Sequence, residues 1–200
     1  MIPLPRIWEA AHKRGLCVIL LAALCLAGVA DIGRGLYVPA KAVAAQVLLE
    51  RAFARSLADH RPRRPWPSAD MTPLARLSVE RLGVTRMVLD SGSGQALAFG
   101  PTMLPGGAAP GQPGTAVIAA HRDTHFRFLR ELHKGDVVTL ETRAGLKRRY
   151  RVTGTDVVRW DRYAVPDSAS GERLDLTTCF PFDAIRRGPW RYVVHAQVIV

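Results

Sequence analysis

From Met71 to the C-terminus the chain breaks into short apolar runs separated by turn residues, and no run is long enough to build a helical domain. The runs cover residues 75–79, 84–89, 115–120, 137–142, 149–158, 174–178 and 192–200. Apolar and polar side chains alternate clearly over 136–142 and 150–158, and Ala144-Gly145 supplies a turn between those two. Many short strands with little helix predict a mostly β domain, a barrel or a sandwich. One helix is expected inside it, over 124–133, where Phe128, Leu129 and Leu132 share a face and Gly135 provides the stop. Residues 90–114, crowded with Gly, Pro and Ser, read as a long loop, either functional or simply solvated.

The N-terminal part obeys different rules. Residues 16–30 carry no charge and follow Arg6, Lys13 and Arg14, a flank that keeps the N-terminus in the cytoplasm. We therefore expect a cytoplasmic segment 1–14 and a transmembrane signal anchor 15–37. A signal peptide cut after Ala30 is the alternative, and either exports the rest of the chain. Good helix formers over 39–60, with Val43, Val47 and Leu48 at helical spacing, predict a stalk helix. The four prolines of 61–73 predict an extended linker, so 38–70 is assigned to stalk and linker and 71–200 to the folded domain. Hydrophobic residues at 48% and charged residues at 22% exclude disorder over most of the length. With 28 Lys and Arg against 17 acidic residues, the net charge of +11 calls for an anionic neighbour. Export excludes nucleic acid and leaves membrane lipid or an envelope polymer.

Cys17 and Cys25 lie inside the apolar segment, so Cys179 is the only cysteine in the exported part and closes no internal disulfide. A solitary thiol is ordinarily inert packing. The surroundings of Cys179 point elsewhere: it ends the strand Leu176-Thr177-Thr178-Cys179, and His121 follows another strand in Ala119-Ala120-His121. A thiol and an imidazole held at strand ends are the minimum for acyl transfer through a thioester, the imidazole favouring the thiolate and later returning a proton to the leaving amine. A rival reading takes His121, Asp123 and His125 as ligands of a metal-dependent hydrolase. A third is an envelope-binding module without catalysis.

Asp175-Leu176-Thr177-Thr178-Cys179 resembles the Thr-Leu-x-Thr-Cys signature of the sortases, with Asp175 in place of the first Thr. His121-Arg122-Asp123-Thr124, followed by Phe126 and Leu129, is similar to the histidine motif of class D sortases, with Ala120 where Gly is common. The resemblance is greatest to class D and Gram-negative members, and it covers the exported domain. It implies an eight-stranded barrel held at the periplasmic face of the inner membrane by a single-pass anchor. It implies a cysteine transpeptidase that needs no cofactor, cleaves a Leu-Pro-x-Thr-Gly-like signal at the C-terminus of a secreted protein, and passes the product to an amine acceptor or water. Cys179 is then the nucleophile and His121 the proton donor. Arg191, which opens the strand after the loop, is the substrate-positioning and charge-stabilising cation, with Arg186 and Arg187 left as loop charge. Thr177, Thr178 and Asp123 are secondary candidates for positioning substrate.

Overall fold

The computed structural model describes residues 5–91, 93–165, 171–186 and 188–199. It contains two compact units, Met1–Ala44 and Ala45–Val200. Helix α1, Pro5–Asp59, begins in the first unit. Its part from Ile19 is long and apolar enough to cross a membrane, and Ile19, Leu21, Leu24, Leu26 and Val29 lie exposed along it.

The second unit is a closed barrel of strands β1 (Pro73–Val79), β2 (Val84–Leu89), β3 (Thr102–Met103), β4 (Gly114–Ala119), β5 (Val137–Thr142), β6 (Lys147–Arg159), β7 (Glu172–Cys179) and β8 (Trp190–Val198). Around the barrel they run β1-β2-β3-β4-β7-β8-β6-β5, and β5 pairs with β1 to close it. Period-two alternation fills the interior, with Ala75, Leu77 and Val79 of β1, Ala116 and Ile118 of β4, Val138 and Leu140 of β5, Tyr150 and Val152 of β6, and Leu174 and Leu176 of β7 in one core.

Three features depart from the sequence reading. The long loop contains a short helix, α2 (Gly94–Phe99), and strand β3. Ser93 caps α2 by accepting from the Ala96 amide at 3.0 Å. Residues 124–133 form turns and a 3₁₀ helix over Arg127–Glu131 in place of an α-helix. Phe126, Leu129 and Leu132 are all buried, and their three-residue spacing is the 3₁₀ repeat. The expected strand end at Val200 lies outside the described residues.

The third departure concerns the expected stalk. The second unit starts at Ala45, so the last turns of α1 belong to it. Ala45, Leu49, Ala52, Phe53 and Ser56 are buried at helical spacing, whereas Val43 and Val47 are exposed. Leu49 and Phe53 form a second core with Met71, Met87, Leu89 and Ala96. Arg76 of β1 fastens this layer: its guanidinium lies 4.9 Å from the Phe53 ring centroid and pairs at 2.9 Å with both Glu50 and Glu141. Phe53→Ala should therefore destabilise the barrel by about 3–5 kcal/mol, measured as a lower urea midpoint of the full chain in detergent. An unchanged midpoint would mean that this part of α1 is a detachable stalk.

Candidate active site

β4 and β7 run parallel, in a register that faces Ala119 with Thr177. The Ala120 amide continues the ladder, donating to the Thr177 carbonyl at 3.2 Å. His121 thus follows Ala119 by the same two residues that separate Cys179 from Thr177, and the two come level. On the other side of β7, antiparallel β8 faces Cys179 with Arg191. The three residues thus lie on neighbouring segments of the barrel, Cys179 and Arg191 on paired strands and His121 just past the end of β4. All three line one cleft of about 780 Å³.

Alternation along β7 decides which side chains reach that cleft. Thr178 is buried, and its hydroxyl donates to the Ala120 carbonyl at 2.7 Å, which ties the end of β4 to the end of β7. Cys179, the next residue, is a free, partly buried thiol on the opposite face. Thr177 lies in a neighbouring cavity of about 310 Å³ that shares His121, Cys179 and Arg191 with the cleft. Asp123 lines the larger cleft.

Two arginines brace the rim. Arg191 donates through Nη1 to the Gly188 carbonyl at 3.0 Å and to the Trp190 carbonyl at 2.9 Å. Arg122 donates through Nη2 to the Ala184 carbonyl and to the Arg186 carbonyl, the latter at 3.2 Å, so the segment after His121 holds the segment after Cys179. Arg186 is exposed, and Arg187 lies outside the described residues.

The rival metal reading loses its geometry. Among the described residues no three His, Cys, Asp or Glu side chains converge as a metal-holding group, His121, Asp123 and His125 included. His125 turns instead to α2, with Nε2 3.4 Å from the Ala98 carbonyl, and burial pushes its pKa below the usual imidazole value. Leu97 and Ala98 of α2 line the cleft, a contribution the sequence reading passed over. The usable signal was Ser93 as a cap ahead of Gln95-Ala96-Leu97, with Gly100-Pro101 as the stop.

A family model described as Sortase domain matches residues 77–199. Sortase D of Bacillus subtilis (strain 168) is 35% identical over 89 residues, which are 44% of this chain and 44% of that relative. The match thus spans less than half the length of that protein. A Clostridium perfringens Sortase D5 transpeptidase is similar in fold, with a TM-score of 0.63 at 19% identity over 79% of this chain and 99% of that one. The catalytic domain of B. anthracis SrtD is 27% identical, with a TM-score of 0.54 over 64% of this chain and 88% of that one.

His195 of β8 carries a titration that should be visible in stability. Its Nδ1 is 2.9 Å from Asp175 Oδ1, and its Nε2 is 3.2 Å from Asp156 Oδ2. The Asp175 hydrogen bond raises the pKa above the ordinary 6.5, burial opposes it, and Asp156 adds to it. A raised folded pKa contributes stability that is complete below the unfolded value and lost as pH rises through the folded one. The thermal midpoint of the full chain should therefore fall from about pH 6 to about pH 8, and His195→Gln should flatten that fall. Parallel profiles for parent and variant would show that His195 takes up no proton on folding.

Proposed function

This chain belongs to the sortase family, and we propose that it is a membrane-anchored cysteine transpeptidase acting on proteins with a C-terminal Leu-Pro-x-Thr-Gly-like signal. The observation that carries the reading is the row His121, Cys179 and Arg191 across three adjacent chain segments, with all three side chains on one cleft. A nucleophile between an imidazole and a guanidinium, the one just past the end of β4 and the other on β8, is an arrangement suited to thioester chemistry.

Cys179 passes its thiol proton to His121 as its Sγ attacks the carbonyl carbon of the signal's Thr, and the carbonyl oxygen gathers negative charge. Arg191 stabilises that charge and positions the carbonyl. As the tetrahedral intermediate collapses the C–N bond breaks, His121 gives a proton to the departing amine, and a thioester remains on Cys179. An acceptor amine, or water, then adds to the thioester carbonyl and loses a proton to His121, and the C–S bond breaks. Two half-reactions on one thiol give ping-pong kinetics.

Residues 15–37 are the segment we assign to the inner membrane, with residues 1–14 in the cytoplasm and the barrel on the periplasmic side. The exposed apolar helix and its basic N-terminal flank support this. The excess positive charge suits a surface beside anionic headgroups.

A signal peptide incubated with the full chain should leave a covalent mass on Cys179 that hydroxylamine removes, and Cys179→Ala should abolish it. Absence of the adduct across Leu-Pro-x-Thr-Gly variants would refute the transpeptidase reading. Arg191→Ala should slow single-turnover thioester formation by on the order of 10²-fold or more, and Arg191→Lys, which keeps charge without the planar fork, should also be slow. Arg186→Ala should change it far less. A crippled Arg186→Ala beside a normal Arg191→Ala would overturn the choice of arginine.

A further inference from the structure

Asp175 occupies the position at which the sortase signature carries Thr, and it is only 2% exposed. It stands on β7 on the same face as Thr177 and Cys179, both of which line the cavity of about 310 Å³. Both of its oxygens are engaged: Oδ1 accepts from His195 Nδ1 at 2.9 Å, and Oδ2 accepts from the Tyr163 hydroxyl at 2.5 Å. A carboxylate this deeply buried is tolerated only where partners satisfy it. One partner here is the neighbouring barrel strand. The other belongs to the segment between β6 and β7.

That second partner links Asp175 to substrate. Tyr163 lines the cavity of about 310 Å³ beside Cys179, together with Leu97, Leu104 and Trp160. Burial raises the Tyr163 phenol well above its usual range and the hydrogen bond to Asp175 adds to this, so the hydroxyl stays a donor. The Tyr163 hydroxyl thus ties the segment between β6 and β7 to β7 through a short hydrogen bond to a buried carboxyl group. The lining that Tyr163 completes is mostly apolar.

We propose that Asp175 is a positioning residue, which by holding the Tyr163 hydroxyl fixes the wall of the cavity beside Cys179 and so sets the affinity for the apolar part of the sorting signal. The proposal rests on the transpeptidase reading for its substrate. It does not make Asp175 part of the chemistry, because neither oxygen is directed at Cys179. Family resemblance alone gives Asp175 no such role, since the residue departs from the signature.

Tyr163→Phe is the decisive variant: it removes one hydroxyl and leaves the ring and the Asp175–His195 pair in place. The full chain in detergent is assayed with a Leu-Pro-Ala-Thr-Gly peptide for half-saturating concentration and limiting acylation rate. Iodoacetamide alkylation of Cys179 and amide hydrogen exchange over residues 161–165 need no substrate. We expect the half-saturating concentration to rise about five- to tenfold with the limiting rate within about twofold, together with unchanged alkylation and faster exchange over 161–165. Asp175→Asn should shift the same quantities in the same direction. An unchanged half-saturating concentration, a loss confined to the limiting rate, or unchanged exchange over 161–165 overturns the proposal. If the parent itself fails to acylate, the transpeptidase reading falls on that result, while the exchange measurement still decides whether Asp175 anchors Tyr163.

Discussion

The parallel ladder between β4 and β7 carries the register on which the cleft depends. Facing Ala119 with Thr177 brings His121 level with Cys179. A slip of one residue would turn Cys179 into the barrel and Leu176 out of it, because side chains alternate along a strand. The register is secured at both ends. Near the start, the Gly114 amide donates to the Gly171 carbonyl at 3.1 Å and the Gly111 amide to Glu172 Oε1 at 2.8 Å. Near the end, the Ala120 amide and the Thr178 hydroxyl close the last rungs. Between them Ala116, Ile118, Leu174 and Leu176 are buried in one core, which penalises any shift that would expose them.

Around this ladder the rim is held by backbone carbonyls more than by ion pairs. Arg122 and Arg191 each spend donors on carbonyls of the segment that joins β7 to β8. Such bonds give the exposed segment fixed contacts at Ala184, Arg186 and Gly188, and they engage Arg191 through carbonyls in place of a carboxylate. A carboxylate paired with Arg191 would compete for the guanidinium with the oxyanion it is proposed to stabilise. The acidic partners gather elsewhere: Glu50 and Glu141 on Arg76, Asp136 on Arg81, Asp175 and Asp156 on His195.

Legibility in the sequence followed the range of the forces. β2 and β5 were read with the bounds the structure has, because turns flank them and, in β5, alternation marks the buried face within the strand itself. β3 was invisible: its two residues earn strand geometry only by pairing with Leu89 on one side and with Ala119 and Ile118 on the other. The buried face of α1 was not legible, because Val43 and Val47, more hydrophobic than the Ala45 and Ala52 that face the second core, are exposed. What selects the face is the contact of Leu49 and Phe53 with residues of the barrel, and no local pattern encodes that. The residues proposed for catalysis were legible through motif order. Their neighbours Leu97, Tyr163 and Trp160 come from segments with no periodicity.

β7 shows how one strand can be both rigid and chemically useful. Its inward residues Leu174, Leu176 and Thr178 are almost completely buried, so the backbone is immobilised by the core. Its outward residues Asp175, Thr177 and Cys179 change from a satisfied charge through a small hydroxyl to a partly exposed thiol. Polarity on the outward face costs little where water or a partner can satisfy it, and the deepest of the three, Asp175, is the one with partners on both oxygens. Cys179, the proposed nucleophile, therefore sits at the point where the strand emerges from its support. Its position is inherited from buried neighbours, and the chemistry proposed for it draws on His121 and Arg191 on the segments to either side.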